Sequence, residues 1–111
     1  MSNTNFTGKT NLLTRHQLLA EKTGTGVVNL NDSINNYNII MVCSDNRDDG
    51  KGFLTSQQCL PLGYIKELGY GKEFSSHGRD NVSFTIKFNS DRQAQITQEY
   101  YARKIRFIGV K

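Results

Sequence analysis

The chain has 111 residues, 36% of them hydrophobic and 22% charged, with a formal net charge of +4. That length holds one domain with one modest core, and the apolar content is high enough to exclude general disorder. No apolar run approaches the roughly 20 residues that cross a bilayer as a helix, and Met1 to Asn5 has neither the basic nor the apolar part of a secretion signal, so membrane insertion and export by that route are not expected.

Asparagine, glycine, serine and threonine are abundant while alanine and proline are scarce. Polar side chains of this kind compete with helical backbone bonds, so strands and turns are favoured over helices. Cys43 and Cys59 are the two cysteines, both inside apolar stretches and without the clustered spacing of a zinc site, and are expected as buried thiols. Residues 1–55 carry five basic and five acidic side chains and residues 56–111 carry nine and five, so the second half owns the whole positive excess.

Residues 1–11 lack period and read as a flexible lead-in; residues 12–111 read as a single domain. Arg15 to Leu19 and Gly26 to Leu30 suit strands, and the intervening Glu21-Lys22-Thr23-Gly24 suits a hairpin turn that would pair them antiparallel. Asn31 to Asn36 is a cluster of turn formers that can bury Ile34 while Asp32 or Ser33 bonds nearby amides. Ile39 to Cys43 is apolar on both faces, the mark of a central strand covered on each side. The charged, glycine-containing Asp45 to Gly52 ends that strand in an exposed loop, and Phe53 to Leu60 resumes an extended course to Pro61.

Between Leu62 and Asp80 the punctuation by Gly63, Gly69, Gly71 and Gly78 points to short strands joined by tight turns rather than to a helix. Val82, Phe84, Ile86 and Phe88 alternate with polar residues at the period of a strand with one buried face. Arg92 to Thr97 pairs back after Asn89-Ser90-Asp91, and Lys104 to Val110 closes the domain. The expected fold is therefore all-β, an antiparallel β-sandwich of about seven or eight short strands.

Catalysis needs a converging nucleophile, base and orienting group, yet His16 and His77 stand alone and the acidic residues fall in hydrated turns, so no catalytic residues are assigned and the chain is read as a non-enzyme. Asp45 to Gly50 faintly echoes a calcium loop, but Arg47 holds the third position and no glutamate closes the frame; no metal and no cofactor are expected. Arg103, Lys104, Arg106 and Lys111 with Tyr100 and Tyr101 could contact nucleic acid, but strand alternation splits them between faces and disfavours that partner. Tyr64, Tyr70, Phe74, His77 and Arg79 suit sugar recognition, because rings stack on sugar CH faces while polar groups fix hydroxyls. Tyr64 and Phe74 are at least as well suited to a core. The candidate ligand-binding set is Asp48, Asp49, Tyr64, Tyr70, His77 and Arg79.

The succession Gly24-Thr25-Gly26-Val27-Val28-Asn29-Leu30, Asp32-Ser33-Ile34-Asn35-Asn36-Tyr37 and Ile39-Ile40-Met41-Val42 resembles the C-terminal tip domains of bacteriophage tail fibres and prophage tail proteins, with Ser33 to Tyr37 the most specific portion. The resemblance implies a homotrimeric fibre tip in the virion, assembled in the bacterial cytoplasm alongside other tail proteins. It also implies binding of a bacterial surface polysaccharide or protein through loops.

Overall fold

The computed structural model describes residues 15–45, 54–78 and 81–111. Its strands are β1 (His16–Thr23), β2 (Gly26–Asn29), β3 (Ile39–Asp45), β4 (Leu54–Pro61), β5 (Glu73–His77), β6 (Ser83–Ser90), β7 (Gln93–Tyr100) and β8 (Lys104–Val110); a helix, α1 (Leu62–Leu68), joins β4 to β5, and Ile34–Asn36 form a 3-10 turn. They build two four-stranded sheets, ordered β1-β8-β3-β4 and β2-β7-β6-β5, with every pairing antiparallel. The all-β sandwich expected from the sequence is the architecture observed.

The alternation of β6 works as its pattern dictates: Phe84, Ile86 and Phe88 point inward and are almost fully buried, and their polar neighbours face out. Phe74, Phe88 and Phe107 form an edge-to-face chain across the gap between the sheets, with centroids 6.5 and 6.4 Å apart. At the β4/β5 side the gap is shut by a polar seam, in which Ser76 Oγ donates to the Gln57 carbonyl, Gln58 Nε2 donates to the Phe74 carbonyl and Ser56 bonds Ser76. At the β1/β2 side an open groove remains between the sheet edges, lined in part by Leu18, Val27 and Asn29.

Four expectations are corrected. β1 and β2 do not form a hairpin: β1 pairs with β8 and β2 with β7, so Gly24-Thr25 carries the chain from one sheet to the other. Leu62 to Leu68 is helical, with Ile65 buried underneath and Gly69 at φ 88° ending it. β3 is central but covered mainly on one side: Ile40 and Val42 are buried, whereas Ile39 on the other face is 37% exposed. Cys43 is buried as expected, but Cys59 is exposed, and no disulfide joins them. The lead-in and most of the Asp45 to Gly52 loop lie outside the described residues.

The connection from β2 to β3 is heavily bonded. Asp32 accepts from the Ser33 amide at 2.8 Å, Ser33 Oγ accepts from the Asn35 amide at 3.1 Å and donates to Asp91 at 2.6 Å, and Ile34 is buried beneath. Tyr37 lays its ring over Gly109 so closely that a Cβ there would sit 2.6 Å from ring carbons. Its hydroxyl donates to Asp32 at 2.9 Å, which holds the Asp32 carboxyl below the usual range, while burial and that same bond push the Tyr37 phenol up.

Gly109→Ala is expected to lower stability by about 1–3 kcal/mol in urea unfolding. In a Tyr37→Ala background the same substitution should cost much less; an equal cost in both backgrounds would contradict the contact as described. Because the folded-state pKa of Asp32 is depressed, its contribution is complete above the unfolded value of about 4 and fades as pH falls through the folded one. The stability gap between wild type and Asp32→Asn should therefore be wider at pH 7 than at pH 3, and a gap that does not change with pH would refute this linkage.

Candidate ligand-binding site

The strand directions sort the connections between two ends of the sandwich. At one end lie Arg15 and Lys111, whose backbones bond at 2.8 Å, together with the β2–β3 connection, α1 and the Asp91-Arg92 turn. At the opposite end lie Gly24-Thr25, the connection leaving Asp45 and returning at Leu54, the connection between β5 and β6, and Tyr101 to Arg103 between β7 and β8. All three non-glycine residues with positive φ among the described residues, Asn81 (63°), Tyr101 (57°) and Arg103 (51°), sit at this second end. A left-handed conformation is unfavourable for tyrosine and arginine, at order 1–3 kcal/mol each, and persists only where the surroundings impose it.

What imposes it is Ala102, which is completely buried and whose amide donates to Glu99 Oε2 at 3.2 Å. A register shift in the β6–β7 ladder between Thr85 and Ile86 sets Glu99 opposite the inward-facing Phe84, at the mouth of the gap between the sheets. With Ala102 pinned, its neighbours are thrown outward: Tyr101 is 62% exposed, and Tyr100 beside it 55%. The two rings lie 4.4 Å apart at 60°, and the adjacent Tyr101 hydroxyl holds the Tyr100 phenol above its usual range. Thr23, Gly24, Glu99, Tyr101 and Arg103 line an open cleft of about 330 Å³.

The charges around this cleft are unevenly satisfied. Glu21 bonds Arg106 Nε at 3.3 Å and lies 3.9 Å from Lys104 Nζ, so one carboxylate holds both cations on the outer face of the β1-β8-β3-β4 sheet. Among the described residues no carboxylate lies within ion-pair distance of Arg103.

The residues singled out from sequence are not brought together. Asp48, Asp49 and Arg79 lie outside the described residues. Tyr64 on α1 and Tyr70 just after it are exposed at the end where Arg15 and Lys111 meet; there Tyr64 packs on Phe74 at 6.4 Å and Lys66 lies 5.8 Å from the Tyr70 ring centre. Phe74 itself is core. His77 lies at the opposite end, in register with Ser83, which in turn faces Tyr100. The basic residues weighed for nucleic acid are dispersed, but strand alternation is not the cause: Lys104 and Arg106, two apart on β8, share one sheet face, while Arg103 lies before the strand in the cleft and Lys111 lies after it, 5.7 Å from the Tyr37 ring at the far end. Sequence reasoning noticed Tyr100, Tyr101 and Arg103 only within that basic group and missed Thr23, Gly24 and Glu99; the available signal was a tyrosine pair placed between two strands.

Among the described residues no three His, Cys, Asp or Glu side chains converge as a metal would require. Compared with protein-family models, with curated proteins and with solved structures, the chain matches none.

Proposed function

We propose that the protein is a non-enzymatic receptor-binding module, the tip of a bacteriophage tail fibre, which holds a polysaccharide or protein of the bacterial surface in the loops at one end of the sandwich. The carrying observation is the division of labour between the ends. Arg15 and Lys111 lie at one end, and the end opposite gathers four inter-strand connections, the left-handed residues and an open cleft beside two exposed tyrosines. Recognition by loops on a rigid scaffold is the general use of such an arrangement, and presentation in three copies on a fibre would raise a weak single-site affinity by avidity.

The test is staining of a panel of bacterial strains by fluorescently labelled protein, on intact cells and on cells stripped of surface polysaccharide. Strain-selective staining that falls at least tenfold in a Tyr100→Ser/Tyr101→Asn variant of unchanged melting temperature is expected. Absence of staining on every strain, by protein shown to be folded, would overturn the reading.

A structural role within the tail is the second reading, and the outer faces of the two sheets favour it. The outer face of the β2-β7-β6-β5 sheet is a polar ladder that includes Ser75, Thr85, Gln95 and Asn89. The outer face of the other sheet has a row formed by Leu18, Ile108, Met41 and Cys59, beside a second row formed by His16, Val110, Ile39 and Pro61. Such a face is suited to contact with other copies or other tail proteins. On this reading wild type sediments as an oligomer and Leu18→Lys/Ile108→Lys as a folded monomer; a monomeric wild type at tens of micromolar would leave self-assembly through this face without support.

A further inference from the structure

We infer that the cleft between Tyr101 and Arg103 takes a carboxylate-bearing saccharide unit, its ring against Tyr101 and its carboxylate on the Arg103 guanidinium. The inference rests on the receptor-binding reading and names the ligand chemistry of that same site. Four observations carry it.

The volume of about 330 Å³ stands at the lower end of the range for small-ligand pockets, roughly 300–1,000 Å³, which is room for a sugar unit or two rather than for a folded partner. The exposed face of Tyr101 supplies a flat apolar wall, which suits the CH face of a pyranose and leaves its hydroxyls for polar groups around it. Thr23 and Glu99 are those groups: Oε2 of Glu99 is committed to the Ala102 amide, and its second oxygen has no partner within the protein among the described residues, so it can accept from a sugar hydroxyl.

Arg103 decides the charge of the ligand. The cations that follow it, Lys104 and Arg106, are both held by Glu21, but Arg103 faces the cleft without a carboxylate partner among the described residues. A planar fork of donors in that condition matches a carboxylate with two parallel bonds. A phosphate or sulfate ester could use the same fork. Glu99 shares the cleft, however, and offsets the charge of Arg103, so a doubly charged phosphate monoester leaves two negative charges uncompensated there and a carboxylate only one. The sulfate, singly charged like a carboxylate, is left for the experiment to reject.

The backbone also prepares the site. The left-handed φ at Tyr101 and Arg103, with Ala102 buried between them, sends both side chains outward before any ligand arrives, so binding has little backbone left to reorder.

The experiment is an amide chemical-shift titration of the full chain with three disaccharides of one linkage: glucuronate-containing, glucose-containing and sulfated. The expected result is shifts at Thr23, Gly24 and Glu99 to Arg103 with the glucuronate form, and at least tenfold weaker binding of the other two. Arg103→Asn should remove that preference without changing the melting temperature, because asparagine tolerates the left-handed conformation. Tyr101→Asn, which keeps the backbone for the same reason, should weaken all three sugars alike. Equal binding of acidic and neutral forms, preference for the sulfated form, or shifts confined to other surfaces would each overturn the assignment. Strain-selective staining that Arg103→Asn leaves unchanged would sink the acidic-sugar assignment while the receptor reading stands; no staining and no shifts would sink both.

Discussion

The contact between the Tyr37 ring and the backbone of Gly109 is the constraint on which the arrangement of the molecule turns. Gly109 is flanked in its sheet by Gln17 of β1 and Ile40 of β3, so a ring pressed on it bears on three adjacent strands at once. The connection that carries Tyr37 also crosses from one sheet to the other. Along its length Leu30 bonds the Arg92 carbonyl, Ile34 the Asp91 carbonyl and Asn38 the Val110 carbonyl, while Asn38 in turn accepts from Leu62 at the start of α1. One segment thereby fixes the β6–β7 turn, the last strand and the helix relative to one another. Any side chain at position 109 would lift the ring and loosen all of these together.

The same segment is the one on which the expectation of a phage tail tip domain most specifically rests. Four of its residues have a structural account: Asp32 and Ser33 satisfy turn amides, Ile34 fills the core, and Tyr37 covers Gly109. The residues that prompted that expectation hold the fold and lie at the end remote from the cleft, so the chemistry of a ligand has to be argued from the other end. That separation is physically sensible, since an end welded by buried contacts and bonded turns allows the opposite end to hold left-handed tyrosine and arginine.

What was legible in the sequence was whatever local pattern alone dictates. The alternation of β6, the limits of β8 and the irregular turn around Ile34 follow from residue period and turn chemistry, and the structure has them as read. What was misread depends on partners distant in sequence. A Gly24-Thr25 corner serves a hairpin or a crossing equally well, and only the pairing of β1 with β8 and β2 with β7 decides between them. In α1, Pro61 before the first turn, Leu62 and Ile65 three apart and Gly69 at the stop were signals of a short helix that the glycine count obscured. The cleft was hidden for a similar reason. Nothing local marks Tyr101 or Arg103 as left-handed; the burial of Ala102 and its bond to Glu99, both tertiary facts, put them there.

The unequal outer faces link the two functional readings rather than opposing them. The aliphatic rows of the β1-β8-β3-β4 sheet lie toward the end where Arg15 and Lys111 meet, and the same face turns polar through Arg106, Lys104 and Glu21 toward the cleft. Copies that buried the aliphatic rows around an axis parallel to the strands would all direct their clefts the same way, with the polar parts of the face free to diverge. An antiparallel pair would instead point its clefts in opposite directions and forfeit simultaneous engagement of one surface. Simultaneous engagement of one surface by several copies would thus require the parallel, cyclic arrangement. The largely apolar rows lie near Arg15 and Lys111 and away from the cleft, where such an arrangement would use them.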